Sequence, residues 1–278
     1  MTPAVAGLVL CAAILHASWN AILRGSADRL LAVTVMSFAT TAVAIPFALF
    51  LPLPLPASWP NLCLSSLLQV GYSVFLVIAY RHAELGQVYP IVRGCVPLLV
   101  TLGAALFAHE QLGIQSLAGI VLVSLGIMSL ALGKRGANAA SVVAALATGF
   151  IIASYTVTDG VGARLAGSPY AYSTWLFLLY GIFMPLTFLA MRRRIAIELR
   201  SPEILKALAA GIVQLLTYGV VIWAFTLSPI GPVSALRETS IVFAAVIGRI
   251  FLGESFTIRR LVACIAISIG AICLGYRF

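Results

Sequence analysis

The chain has 278 residues, of which 62% are hydrophobic and only 9% charged, with a mean hydropathy of +1.10. A soluble domain is about one quarter charged, so this composition cannot make a water-facing surface and the bilayer must be the main solvent. The net charge of +9 sits mostly in short loops between apolar runs, with no basic-aromatic tract or zinc spacing; it points to membrane orientation and not to nucleic acid.

Ten runs approach the ~20 apolar residues that a spanning helix needs. They cover 3–23, 30–51, 59–81, 86–107, 114–132, 139–162, 169–191, 204–226, 231–252 and 258–276. The first continues through Trp19 and Asn20 to Arg24 without a basic leader, and reads as a mature helix and not a cleavable signal. His16 and Asn20 are four apart on it and share a face, with Trp19 beside them. The cluster suits a cavity wall, a Trp anchored at the interface or a His bonded within the bundle. The third run carries Gln69 and Tyr72, and the fourth Tyr89, Pro90, Arg93 and Pro97. The two prolines free backbone carbonyls and permit a kink suited to gating. Gly119, Gly126 and Gly133 make a small-residue stripe on the fifth run that close packing explains. Tyr155 and Asp159 lie on the sixth, Trp175 on the seventh, Gln214, Tyr218 and Trp223 on the eighth, and Arg237 and Glu238 on the ninth. Cys11, Cys63, Cys95, Cys264 and Cys273 all fall inside apolar runs with no CxxC pair, so disulfides, metals and cofactors are not expected.

Loops after odd-numbered runs hold twelve Lys and Arg: Arg24, Arg29, Arg81, Lys134, Arg135, Arg192, Arg193, Arg194, Arg200, Lys206, Arg259 and Arg260. The even loops and termini hold only Arg164 and Arg277. This bias predicts cytoplasmic odd loops and both termini outside. An internal repeat accompanies it. Gln69 aligns with Gln214, Ala79 with Ala224, Tyr80 with Phe225 and Gly86 with Gly231; after a one-residue slip, Arg93 aligns with Arg237 and Glu110 with Glu254. Ala17-Ser18-Trp19 matches Ala153-Ser154-Tyr155. Two five-helix halves, 1–137 and 138–278, follow. Five is odd, so the second half is inverted, an organisation associated with alternating access. The expected fold is therefore all-α and integral to the membrane, with ten transmembrane helices in two inverted repeats.

Ten helices in two halves, Ala17-Ser18-Trp19-Asn20 near the end of the first, and Leu252-Gly253-Glu254 followed by Arg259-Arg260-Leu261 resemble the drug/metabolite transporter superfamily, EamA type. Ala108 to Gly113 echoes that junction in the first half. The resemblance implies a basket-like bundle with a central cavity, and export of amino acids or related metabolites. His16 to Asn20 also resembles a branch associated with phosphonate use. The family implies cytoplasmic termini, opposite to the loop charges.

An ionisable group at mid-span costs about 2.5–3.5 kcal/mol, so each needs a reason. Arg93 and Arg237 lie ~9–11 Å from their helix starts and approach the midplane from opposite faces. Either can bind a carboxylate or phosphonate through its planar fork, snorkel outward, or pair with an acid. Glu238 follows Arg237 directly and is expected to point elsewhere, a poor partner for it. Its candidate roles are binding a substrate amine, titrating a proton or neutralising another arginine. Asp159 is either a coupling carboxylate or an interfacial acid. Gln69, Tyr72, Tyr89, Tyr155, Gln214 and Tyr218 supply amide and aromatic lining or plain packing.

No GxSxG, HExxH, Walker A or strand-borne GxGxxG occurs, so an enzyme is not expected. The sequence predicts a secondary transporter in a bacterial inner membrane, with small solute and lipid as its partners. Its pathway is expected along helices 1, 3, 4, 6, 8 and 9.

Overall fold

A computed structural model describes residues 1–82, 85–131, 139–193, 201–252 and 257–275. Lys134, Arg135, Arg194, Arg200, Arg277, Gly133 and Glu254 lie outside these residues. Of Arg24, Ala79, Tyr80, Arg81 and Gly86 only the backbone is described. Every regular element among the described residues is helical: α1 (Pro3–Arg24), α2 (Arg29–Phe50), α3 (Trp59–His82), α4 (Leu85–Phe107), α5 (Ile114–Ser129), α6 (Ala139–Leu165), α7 (Pro169–Arg192), α8 (Pro202–Leu227), α9 (Ile230–Glu238), α10 (Ser240–Leu252) and α11 (Ile258–Gly275), with a 3-10 turn at Pro56–Ser58 before α3. In lipid each backbone group must be satisfied within its own segment, which is why an apolar chain of this composition resolves into helices.

The helix starts are written locally. Thr2, Asp28 and Ser168 accept from the backbone N–H of Val5, Leu31 and Ala171, capping α1, α2 and α7. Pro opens α1, α7 and α8, where its missing N–H costs nothing. Eight segments among the described residues are long and apolar enough to cross a membrane, with Ile230–Arg249 counted as one; α5, at 16 residues, is shorter. Leu49, Phe50, Phe107, Ile114 and Ile258 stand exposed, a surface suited to lipid and not to water.

The ninth run is not one helix. Thr239 turns between α9 and α10: its N–H donates to the Leu236 carbonyl at 3.2 Å and its Oγ1 to the same carbonyl at 2.7 Å. Side-chain competition for the backbone at a Thr-Ser pair supplies the break. α2 packs on α7, α5 on α11 and α4 on α9. The pairing of α3 with α6 has a counterpart in α1 with α8, and α3 with α7 in α2 with α8. Likewise α4 meets α6 where α1 meets α9 and α10, and α4 meets α5 where α10 meets α11. On α5, a Cβ on Gly119 would lie 3.0 Å from the Gly270 carbonyl oxygen, so the part of the glycine stripe that is described seats α11.

Tertiary contacts tie like ends together. Asp28 and Arg192 pair at 3.5 Å, joining the start of α2 to the end of α7. At the other end the Leu55 N–H donates to Ala166 (3.1 Å), and the Gln115 amide to Cys273 (3.1 Å).

Candidate functional site

A central cavity, about 830 Å³ of empty volume with its mouth included, lies between α1, α2, α3, α4, α6, α7, α8 and α9. Most sequence candidates converge here. His16, Trp19 and Asn20 face it from α1, Gln69 and Tyr72 from α3, Arg93 from α4, Tyr155 from α6, Gln214 and Tyr218 from α8, and Arg237 from α9. The repeat-matched pairs Gln69 with Gln214, and Trp19 with Tyr155, all line the wall. The sequence missed α2 and α7, which contribute Val33, Met36, Phe177 and Tyr180. These are ordinary apolar or aromatic residues with no polar spacing to mark them. α5 and α11 stay out of the wall, as expected of peripheral helices.

One carboxylate organises the basic side of the cavity. Arg93 Nη1 donates to both oxygens of Glu238 (3.1 and 2.9 Å), and Arg237 Nη2 donates to Oε1 at 3.2 Å. Both arginines and the glutamate are buried. The expectation that Arg237 and Glu238 are poor partners is therefore wrong. Glu238 ends α9, and the long Arg237 side chain curls back to it across the helix end. Of the roles open to Glu238 in the sequence, neutralising another arginine is the one seen. Tyr89 is not in the wall; its hydroxyl accepts from Arg93 Nε at 3.2 Å, and its ring lies 5.4 Å from the guanidinium carbon. Arg93 Nη2 meets His16 Nε2 at 2.6 Å, and His16 stacks edge-on against Trp19 at 4.9 Å. Asn20 donates back to the His16 carbonyl at 2.8 Å.

Two guanidiniums against one carboxylate leave an excess positive charge. Two donors are also unanswered: Arg237 Nε and Trp19 Nε1 are buried atoms with no hydrogen-bond partner. A buried N–H without an acceptor is costly, so each marks a place where an acceptor belongs.

Asp159 is fully buried in α6. It accepts from Tyr218, from Tyr172 at 3.0 Å and from the Gln69 amide at 3.3 Å. Gln69 and Tyr218 are wall residues, so Asp159 stands behind the wall and sets two of its members. Tyr172, its third donor, carried no sequence signal. The rings of Tyr72, Tyr155, Tyr218 and Phe177 follow one another at 6.1 to 6.4 Å between centroids, an aromatic strip along the cavity. Pro90 and Pro97 are buried inside a continuous α4, where Pro97 removes the helical donor to the Arg93 carbonyl.

The cavity wall reaches Leu23, beside the end of α1, and Val33 in α2, on the side where Asp28 meets Arg192. The opposite side carries a polar clasp. There Glu110 pairs with Arg164 at 2.6 Å and accepts the Ile230 N–H at 2.9 Å with both oxygens, capping α9. Arg164 also donates to the carbonyls of Phe225 (2.8 Å) and Ser228 (3.0 Å), closing the end of α8. Trp59 packs edge-on against Trp175 beside this clasp, at 5.1 Å.

No set of three or more His, Cys, Asp or Glu among the described residues is arranged to hold a metal. A multi-pass helical bundle around a buried, charged cavity defines the class of membrane transporters. The comparisons carry it further: residues 139–276 match the EamA-like transporter family, so the second half of the chain is an EamA-like transporter domain, in the drug/metabolite transporter superfamily. A comparison with curated protein sequences gives no match. One solved crystal structure superposes with a TM-score of 0.75 over 97% of this chain and 94% of its own, at 18% identity; at that identity the likeness is one of fold alone.

Proposed function

We propose that this transporter moves amino acids or related small metabolites bearing an acidic group, by alternating access and in the direction of efflux, across a bacterial inner membrane. The observation that carries the substrate class is the pair of buried, unpartnered donors, Arg237 Nε and Trp19 Nε1, in a cavity where two arginines share one glutamate. A carboxylate supplies the missing acceptors, and the aromatic strip takes the rest of the solute. Asp159 holds Tyr218 and Gln69 in register, a positioning role that agrees better with its place behind the wall than direct coupling does.

The mirrored pairing of helices supports two inverted halves, 1–137 and 138–278, because the most extensive pairings of α3, α4 and α6 have counterparts five helices on. Loop charges place the Arg-rich loops in the cytoplasm and both termini outside. The cavity mouth then faces the cytoplasm and the Glu110–Arg164 clasp faces outward, which is the loading state of an exporter. Pro90 and Pro97 mark where α4 would bend when the clasp opens.

The excess positive charge also favours a second reading, a carrier of phosphonates or other organic anions. Counterflow in proteoliposomes preloaded with alanine separates the two. Uptake of labelled alanine, competed by amino acids and weakly by aminoalkyl phosphonates, supports the first reading. Counterflow of a labelled aminoalkyl phosphonate with none of alanine replaces it with the second, and folded Arg237→Ala protein transporting like the parent overturns both.

A further inference from the structure

Arginine offers an anion one side-on fork, the edge formed by Nε and Nη2. Arg93 has no such edge to give. Its Nε is on Tyr89, its Nη2 on His16 and its Nη1 on Glu238. Arg237 has half of one: Nε is unpartnered, while Nη2 holds Glu238 Oε1 at 3.2 Å. A side-on grip on an incoming carboxylate or phosphonate uses Nε and Nη2, so the anion competes with Glu238 for Nη2. The anion then lies against a carboxylate that is fully buried and left with the single Nη1 donor of Arg93. Two carboxylates in contact in a buried site do not both stay ionised; they share a proton.

We propose that an acidic solute and a proton bind together, with Glu238 as the proton acceptor released from Arg237 when the solute takes the Arg237 fork. The inference rests on the anion-site reading above. The chemistry is one proton transfer: an O–H bond forms on Glu238 with a proton from solution at the cavity mouth, and breaks again when the solute departs. A monoanion then moves without net charge, and a zwitterion carries one positive charge with it.

Other ionisable groups near Glu238 are few. α4 brings Arg93, Tyr89 and Cys95, α1 brings His16, and α6 brings Tyr155 and Asp159, with Arg164 at its far end on Glu110. α5 carries no ionisable residue. On α8, Tyr218 is engaged with Asp159, and Glu203 and Lys206 lie near the helix start. On α11, Arg259 and Arg260 open the helix, and Cys264 and Cys273 are thiols. Two groups compete as proton acceptors: His16, which touches Arg93, and Asp159, which lies behind the wall on Tyr218 and Gln69, so Asp159→Asn is tested beside His16→Gln and must likewise keep the slope.

The test uses the full-length protein in detergent with acetate, alanine and methylphosphonate as probes. Binding is read from Trp19 fluorescence, and proton uptake from an indicator dye in weak buffer. The expected result is about one proton taken up per anion bound, with the apparent Kd weakening about tenfold per pH unit as pH rises above neutrality. Glu238→Gln should bind at least as tightly, with no proton uptake and a flat pH profile, while His16→Gln should keep the slope whatever its affinity. Should Glu238→Gln not fold, the wild-type stoichiometry decides alone. Binding without proton uptake, or uptake abolished by His16→Gln and kept by Glu238→Gln, overturns the coupling while the anion site stands. No binding of any probe removes the anion site and this inference with it.

Discussion

Arg93 and Arg237 occupy matched positions in the two halves yet should respond oppositely to removal. Replacing Arg93 by Met takes away both hydrogen bonds that Nη1 makes to Glu238 and the bond to Tyr89. Glu238 is then a fully buried carboxylate whose remaining bond is the 3.2 Å contact to Arg237. Breaking a buried pair in this way costs about 3–5 kcal/mol. Arg237→Met removes a single bond to Glu238, leaves the Arg93 pair whole and eliminates an unpartnered buried Nε. A lost bond between charged groups, about 1.5–3 kcal/mol, is partly offset by the vanished desolvation penalty, so stability should stay within about 2 kcal/mol of the parent. Thermal unfolding in detergent, followed by loss of monodisperse protein, measures the first effect, and counterflow measures function. Arg93→Met should melt well below the parent, and Arg237→Met should melt near it but fail to transport. Equal destabilisation of both variants would refute the asymmetric assignment, and parental transport by folded Arg237→Met would refute the anion site.

Other expectations follow from the same contacts. Glu110→Ala strips the cap from α9 and the partner from Arg164, and should cost about 1–2 kcal/mol; it should also raise labelling of a cysteine placed beside the clasp by impermeant thiol reagents from that side. Gly119→Val forces a side chain against the Gly270 carbonyl, and should destabilise by about 1–3 kcal/mol while leaving solute affinity unchanged. Asp159→Asn turns an acceptor toward a donor among Tyr172, Tyr218 and Gln69, a loss of about 1–3 kcal/mol in thermal stability that Tyr172→Phe should only partly reproduce. In a cysteine-free background, Gln69→Cys and Gln214→Cys should react with water-soluble thiol reagents and be protected by substrate, while Leu49→Cys should stay inert.

Much of the fold was legible because lipid imposes it: apolar runs of spanning length can only be helices, and their limits agree with the structure to within about three residues. The candidate site was legible for a related reason. An Arg, Glu, Asp or Gln inside such a run is expensive, so its presence is already evidence of a role. What stayed hidden needed three dimensions. Thr239 reads as one more residue in an apolar helix until its hydroxyl is seen bonding Leu236. The Arg237–Glu238 contact defies the ordinary helical angle between neighbours because it forms where α9 ends. Phe177 and Tyr180 look like any packed aromatics, and only the positions of α2 and α7 put them in the wall.

Two of the polar contacts described above span long stretches of chain, and this bears on how the protein is made. Arg93 is separated from Glu238 by 145 residues, and Gln69 from Asp159 by 90. Among the described helices of the first half, no spanning segment holds an acid; Asp28 and Glu110 lie at helix ends. As the chain leaves the ribosome, Arg93 must enter the bilayer long before its counter-charge has been synthesised, at a cost of about 2.5–3.5 kcal/mol. The early half is then a species whose guanidinium has only the neutral partners Tyr89 and His16 and no counter-charge until α9 arrives. Insertion and assembly become one event, completed only when the last third of the polypeptide is delivered.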